Sequence, residues 1–165
     1  MATKQAGTPA PEFALKEMNS NQPTALKDAL GRGPVLLAFF KVSCPVCQFT
    51  FPFLERIHQA YQQQGIQIWG ISQDDAADSR DYAKEYGCTF PILLDTSRYE
   101  VSNLYGITNV PTLFLIEPNA EIFVISVGFD KREIEDISRR LAQHFAAPAF
   151  APFRPQDNVP DFKPG

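Results

Sequence analysis

The sequence has no long apolar run and no block of basic residues. No stretch approaches the ~18 consecutive apolar residues of a membrane-spanning helix, and residues 1–7 contain no apolar region of the kind found in secretory leaders. Basic residues occur in pairs at most, and the net charge is -4. These absences predict a protein without membrane or nucleic-acid partners. They favour a cytoplasmic location, and the alternative is a periplasmic or secreted location if a leader has been removed.

Cysteine and histidine are scarce, with three and two residues in the chain. Three cysteines are too few for a disulfide framework, and a chain of 165 residues does not need one for stability. A structural zinc site takes four ligands, and Cys88, His58 and His144 include no second close pair. We therefore expect no metal. The informative feature is the spacing of the other two cysteines, Cys44 and Cys47.

The composition is that of a globular domain. With 44% hydrophobic and 21% charged residues the chain can bury a core, and its length suits a single domain. Five of its fourteen prolines lie in the last twenty residues. We therefore expect one domain over residues 1–145 and a proline-rich tail over 146–165 that forms neither helix nor central strand.

Hydrophobic patterning predicts an α/β chain. The unbroken apolar run 35–40 is typical of a strand buried on both faces, and apolar residues at four-residue intervals predict a helix from the cysteine pair to Gly65. Before this unit we expect a short hairpin and a helix near 25–30. After it we expect strands at 66–72, 90–94, 112–116 and 121–127, and helices at 74–86, 98–105 and 130–145. This order predicts a mixed sheet, parallel first and then antiparallel.

The pair Cys44 and Cys47 lies where the central strand meets its helix. Two cysteines at i and i+3 in the first turn of a helix can be bridged with little strain, so the pair can cycle between dithiol and disulfide. Pro45 suits the first helical position and leaves Cys44 at the N-cap, where unpaired amides and the helix dipole favour its thiolate. Cys44 is the predicted nucleophile, and Cys47 is predicted to resolve the mixed disulfide. The alternative is a pair of inert, buried thiols.

Three segments, 39–47, 86–95 and 105–121, resemble the thioredoxin-like redoxins of the TlpA/ResA group in the AhpC/TSA superfamily. The resemblance covers roughly residues 8–145. It implies a thioredoxin fold of three α/β/α layers with a mixed central sheet, an N-terminal hairpin and an inserted strand-helix unit. It also implies that Pro111 is a cis-proline, which with Val110 and Thr112 shapes a substrate groove facing the cysteines. No cofactor is implied. Many members of this group work outside the cytoplasm, which favours the periplasmic or secreted alternative.

The resemblance implies a thiol-disulfide oxidoreductase that reduces or exchanges disulfides in protein substrates and is served by an electron-donor thiol protein. The first alternative is a peroxiredoxin-like thiol peroxidase. That family has Pro-x-x-x-Thr/Ser-x-x-Cys, whereas Leu37 and Lys41 stand at the corresponding positions here. The second alternative is a non-catalytic redoxin domain that binds a partner, against which the presence of both cysteines argues. The direction of electron flow and the oligomeric state are left open.

Two positions depart from the pattern of related redoxins. Members of the group often have an acidic residue three positions after the second cysteine, and thioredoxins have a buried aspartate six positions before the first; here Thr50 and Ala38 occupy these places. Proton transfer to Cys47 is therefore assigned to water, to Lys41 or to an unidentified group. Lys41 could also stabilise the Cys44 thiolate, and the equal alternative is a solvated lysine.

Two further features remain open. Cys88 is predicted to be a packed, inert thiol, and the alternative is an additional resolving cysteine. Some redoxins that this chain resembles continue past a similar Pro-Gly with a cysteine or selenocysteine. A third redox centre after Gly165 is therefore an open alternative.

Overall fold

The chain folds into a central sheet with helices on both faces. The structure is a computed structural model and describes residues 2–165. In that range the strands are β1 (Ala14–Lys16), β2 (Pro23–Ala25), β3 (Val35–Phe40), β4 (Gln67–Ser72), β5 (Ile92–Leu94), β6 (Thr112–Ile116), β7 (Ile122–Val127), β8 (Phe129–Asp130) and β9 (Phe162–Lys163). The helices are α1 (Leu26–Leu30), α2 (Pro45–Tyr61), α3 (Ala76–Tyr86), α4 (Glu100–Tyr105) and α5 (Lys131–Phe145). Short 3-10 turns cover Gln62–Gln64 and Pro155–Asp157.

The central sheet has the strand order β5-β4-β3-β6-β7. Strands β3, β4 and β5 are parallel, whereas β6 runs antiparallel to β3, and β7 antiparallel to β6. Strand β3 lies in the middle because all six of its residues are apolar, and all six are buried. The predicted mixed sheet is confirmed.

The two faces of the sheet carry separate apolar clusters. Even-numbered side chains of β3 pack with α2, α3 and α5, and odd-numbered ones pack with α1 and α4, because successive side chains of a strand point to opposite faces. The result is the three-layer thioredoxin fold expected from the sequence. The β1-β2 hairpin precedes it, and β5 followed by α4 lies between α3 and β6.

The observed bounds of α2 and α4 differ from the predicted ones. The α-helical part of α2 ends at Tyr61, and the 3-10 turn that follows is closed by Gly65 with φ 95°. Helix α4 begins at Glu100 rather than at 98, because Ser97 and Tyr99 have positive φ angles of 67° and 52°. A left-handed residue cannot continue a right-handed helix, so the first turn starts later.

The segment 146–165 folds back over the face formed by α2 and α5. Phe150 and Phe153 pack against the apolar cluster on that face. The Phe150 N–H donates to the Tyr61 hydroxyl (3.0 Å), and the Ser138 hydroxyl donates to the Phe150 carbonyl (2.7 Å). The segment contains one 3-10 turn and β9, which pairs with β8 outside the central sheet. The predicted division at residue 145 stays a prediction.

A bidentate ion pair holds the segment 146–165 against α2. The Arg56 guanidinium donates to both carboxylate oxygens of Asp157, at 2.7 and 3.1 Å, and to the Pro152 carbonyl at 3.0 Å. The Arg154 backbone N–H also donates to Asp157 (2.7 Å). These hydrogen bonds, chiefly those from Arg56, lower the pKa of Asp157 to about 2.

We expect Asp157→Asn to lower the urea midpoint of unfolding at pH 7. The folded-state pKa is depressed, so the carboxylate's contribution is fully present above its unfolded value near ~4 and is lost as the pH falls towards about 2. The difference between wild-type and variant midpoints should therefore shrink across this interval in urea titrations at several pH values.

The exposed carboxylate Asp81, whose side chain makes no hydrogen bond among residues 2–165, provides the control variant Asp81→Asn. Its midpoint should follow that of the wild type at every pH. A wild-type to Asp157→Asn difference that stays constant down to pH 2 would contradict the assignment.

Candidate active site

Cys44 occupies the N-cap of α2, directly after the loop that leaves β3. Its backbone is extended (φ -83°, ψ 114°), and Pro45 takes the first helical position. The Cys44 sulfur accepts a hydrogen bond from the Cys47 N–H at 3.1 Å, the capping role that serine or aspartate usually fills. Cys44 is half-exposed. The predicted N-cap placement is confirmed, and it sets this sulfur at the positive end of the helix dipole.

Cys47 lies one turn further along α2 and is completely buried. Burial raises the pKa of the Cys47 thiol above its ordinary value, and its hydrogen bond with Cys44 raises it further. All three cysteines are free thiols, so the structure represents the dithiol state. The two sulfurs of the pair therefore differ sharply in exposure within a single helical turn.

The loop that precedes β6 faces Cys44. Its Val110–Pro111 peptide bond is cis, as the resemblance implies. The Cys44 thiol donates to the Val110 carbonyl oxygen, with a sulfur-oxygen distance of 3.5 Å. Pro111 is buried behind it, and Thr112 is only 1% exposed. The Thr112 hydroxyl donates to the Asn109 carbonyl at 2.6 Å, so its observed contact braces the loop.

Besides Pro45, we expect Lys41 and Thr50 to modulate the reactivity of the cysteine pair, and these two residues differ in exposure. Lys41 is exposed at the end of β3; its carbonyl accepts from the Cys44 N–H (3.2 Å), and its side chain forms no ion pair among residues 2–165. Thr50 is buried, and its hydroxyl donates to the Val46 carbonyl within α2 (2.7 Å). The proposed roles of both residues stay predictions.

The loop between β3 and Cys44 is held by the carboxylate of Asp74, a contact that we did not predict from the sequence. Asp74 accepts a hydrogen bond from the Val42 N–H (2.8 Å), and Gln48 donates to the Val42 carbonyl (2.9 Å). The contact between Asp74 and Val42 follows from the strand pairing. Parallel strands end at the same edge of a sheet, and Phe40 of β3 is in register with Ser72 of β4. A carboxylate two residues after β4 therefore faces the residue two positions after β3.

A second group missed from the sequence is the phenol of Tyr82. Its hydroxyl is buried and has no hydrogen-bond partner within the described part of the chain. The centre of its ring lies 4.7 Å from the centre of the Phe40 ring and 4.8 Å from that of the Tyr86 ring. Burial raises the pKa of Tyr82, and the neighbouring cysteines, foremost Cys47, raise it further. An unpaired buried phenol thus lies near the dithiol.

Cys88 is buried beyond the end of α3 in the same apolar cluster as Cys47. Its sulfur contacts the Tyr86 carbonyl oxygen at 3.9 Å. Burial raises the pKa of Cys88 to about 12, so the thiol is protonated at neutral pH. Its assignment as an inert thiol stays a prediction.

Among residues 2–165, no three or more histidine, cysteine, aspartate or glutamate side chains group together in a way that could hold a metal ion. Within the same residues, none of the helices combines the length and apolar character needed to cross a bilayer.

The fold and the site together define a redoxin, with a dithiol at the N-terminus of a helix and a cis-proline loop opposite it. The model of the AhpC/TSA family matches residues 6–125. The chain therefore belongs to the AhpC/TSA family.

Relatives with similar sequences are thiol-disulfide oxidoreductases. ResA of Geobacillus thermodenitrificans is 32% identical over 136 residues, which are 82% of this chain and 75% of that protein. ResA of Bacillus subtilis is 31% identical over 123 residues, 74% of this chain and 67% of the relative. These similarities show that the chain is a thiol-disulfide oxidoreductase.

Solved structures share the fold. A crystal structure from Chlorobium tepidum, provisionally described as the thiol:disulfide interchange protein DsbE, is 25% identical with a TM-score of 0.74 and covers 86% of this chain and 98% of its own. The thioredoxin domain of a Bacteroides vulgatus thiol-disulfide oxidoreductase is 20% identical with a TM-score of 0.73, over 84% and 98% of the two chains.

We expect iodoacetamide at pH 7 to modify Cys44 at least ~100-fold faster than Cys47 or Cys88 in the folded protein. Thiolates are the reactive form, and burial both raises the pKa of Cys47 and Cys88 and blocks the reagent. Peptide mass spectrometry of timed samples measures the three rates.

The control is the same reaction in concentrated guanidinium chloride, where the three cysteines should react at similar rates. Modification of Cys47 or Cys88 in the folded protein as fast as that of Cys44 would show that the described burial is wrong.

Proposed function

We propose that the chain reduces or exchanges disulfides in protein substrates through Cys44 and Cys47, and that a thiol protein then re-reduces it. This proposal rests on the difference in exposure and hydrogen bonding between the two sulfurs. One is half-exposed and hydrogen-bonded at a helix N-cap, and the other is fully buried one turn away.

Cys44 supplies the attacking sulfur. Its thiolate attacks one sulfur of the substrate disulfide; the substrate S–S bond breaks, a mixed disulfide forms with Cys44, and the other substrate sulfur leaves as a thiolate that takes a proton from solvent. The Cys47 N–H, 3.1 Å from the Cys44 sulfur, supports the negative charge before the attack.

Cys47 then resolves the mixed disulfide. It loses its proton and attacks the Cys44 sulfur; the Cys44–Cys47 disulfide forms, and the second substrate thiolate is released. Two electrons pass from the dithiol to the substrate, and the two substrate thiolates take their protons from solvent. Burial opposes ionisation of Cys47, so its proton leaves as the attack occurs. Water beside the exposed Lys41 is the proposed acceptor, because the Thr50 hydroxyl is already hydrogen-bonded to Val46.

The Val110 loop is the proposed docking site for the substrate chain. The Val110 carbonyl points at Cys44, and an extended peptide that pairs with this backbone would hold its disulfide beside the nucleophile. Pro111 and Thr112 act from behind: both are buried, and Thr112 braces the loop through Asn109.

The donor and the compartment set the direction of the reaction. In a cytoplasm that keeps thiols reduced, the pair acts as a reductase, whereas in the periplasm the same pair needs a dedicated thiol donor. We propose that the reduction potential of the pair, relative to that of its compartment, decides the direction. Fractionation of cells that express the natural gene tests the cytoplasmic expectation against the periplasmic or secreted alternative.

Thiol peroxidase activity is the second candidate, because the AhpC/TSA family model matches the chain. A peroxidase needs a hydroxyl to polarise the peroxide, and the exposed Lys41 stands at the position that this hydroxyl occupies in the peroxiredoxin pattern. Oxidoreductase chemistry on disulfides therefore has the stronger support.

We expect Cys44→Ser to lower the rate of insulin disulfide reduction at least ~100-fold. Cys47→Ser should still attack but accumulate a mixed disulfide with the substrate, visible on non-reducing gels and by intact mass. Dithiothreitol serves as the donor in turbidity assays of insulin.

The matched control is Cys88→Ser, at a buried thiol that the proposed mechanism does not use; its rate should stay within about twofold of the wild type. Fast hydrogen peroxide consumption that survives Cys47→Ser but not Cys44→Ser would favour the peroxidase instead.

A further inference from the structure

The C-terminal segment 159–165 lies along β8, beside the Val110 loop. Its strand β9 pairs antiparallel with β8, with Lys163 opposite Phe129. The Lys131 N–H also donates to the Asp161 carbonyl at 3.0 Å. The chain thus adds its own extended strand next to the loop that the proposed function assigns to substrates.

The end of this segment meets Val110 itself. The Asn109 side-chain amide donates to the Gly165 carbonyl at 3.3 Å. Gly165 packs so closely that a Cβ on it would lie 2.5 Å from the Val110 carbonyl oxygen. The Cys44 thiol donates to that same oxygen at 3.5 Å. The segment and the nucleophile therefore contact one and the same backbone atom.

Close backbone packing continues along the segment. Gly128 donates its N–H to the Pro111 carbonyl (2.8 Å), and a Cβ on Gly128 would lie 2.6 Å from the Lys163 carbonyl oxygen. The Lys163 ammonium lies 4.9 Å from the centre of the Phe49 ring, in the helix that carries the cysteine pair. The segment therefore packs directly against Gly128 and against α2.

The attachment of the C-terminal region is uneven. Residues 148–157 are held by the Arg56–Asp157 pair and by the packing of Phe150 and Phe153. Of residues 159–165, five are exposed and two half-buried, and the Phe162 side chain is 53% exposed. Little apolar surface therefore opposes release of the last seven residues.

We propose that residues 159–165 occupy the substrate groove, and that an extended segment of a protein substrate displaces them to reach Cys44. This inference rests on the proposed docking role of the Val110 loop. The displacing segment would form main-chain hydrogen bonds with β8 and the loop, and would place a cationic side chain over Phe49 as Lys163 does. A small disulfide would not require displacement, since Cys44 is half-exposed with the segment in place.

The test replaces residues 159–165 with a glycine-serine sequence of equal length. While residues 159–165 occupy the groove, the apparent affinity for a substrate chain is reduced in proportion to the fraction of molecules whose groove is open. Replacement removes this competition, so kcat/KM for insulin should rise at least ~3-fold through a lower KM. The rate with oxidised glutathione should stay within about twofold. Gln156→Ala, an exposed change just outside the segment, is the matched control and should leave both rates unchanged.

A peptide of sequence Asn-Val-Pro-Asp-Phe-Lys-Pro-Gly, added to the replaced variant, should inhibit insulin reduction competitively, and a scrambled peptide should not. Equal or lower kcat/KM for insulin after replacement would overturn the proposal. A wild-type protein that reduces neither insulin nor oxidised glutathione would instead overturn the proposed function.

If the replaced protein does not fold, Lys163→Ala should give the same direction of change. Hydrogen exchange offers an independent measurement: the Lys131 amide should exchange faster once Cys47→Ser is trapped as a mixed disulfide with a cysteine-containing peptide. Unchanged protection of the Lys131 amide would show that residues 159–165 stay in place, and it would overturn the proposal.

Discussion

The hydrogen bond from the Cys47 amide to the Cys44 sulfur is the contact on which the site depends. It exists because the fully buried strand β3 leads through a short loop into α2, and Pro45 starts the helix one residue after Cys44. Asp74 accepts a hydrogen bond from the Val42 N–H and so holds the loop between β3 and Cys44. The same arrangement buries the second sulfur of the pair.

The division of labour between the cysteines follows from this placement. The exposed sulfur can meet a substrate, whereas the buried one is disfavoured as a thiolate until a mixed disulfide lies within its reach. Ala38 and Thr50 leave the dithiol without the carboxylates common in related redoxins. The unpaired phenol of Tyr82 belongs to the same apolar cluster as Cys47.

The parts that the sequence predicted are those encoded by local patterns. The apolar run of β3, the four-residue periodicity of α2 and the position of Pro45 are all read within a few residues, and all agree with the structure. The missed contacts join residues far apart in the chain. Asp74 holds Val42 across 32 positions, and Gly165 reaches Asn109 across 56. Composition marked the last twenty residues as a tail, but local pattern carries no signal for where a proline-rich segment docks.

Equilibration in glutathione or dithiothreitol redox buffers, followed by peptide mass spectrometry, tests the central claim that these two sulfurs form one redox couple. The account predicts a single two-electron transition with a slope of about 30 mV per decade. The oxidised chain should contain a Cys44–Cys47 disulfide, with Cys88 recovered as a free thiol. A disulfide that includes Cys88, or a pair that remains unlinked under oxidising conditions, would contradict it.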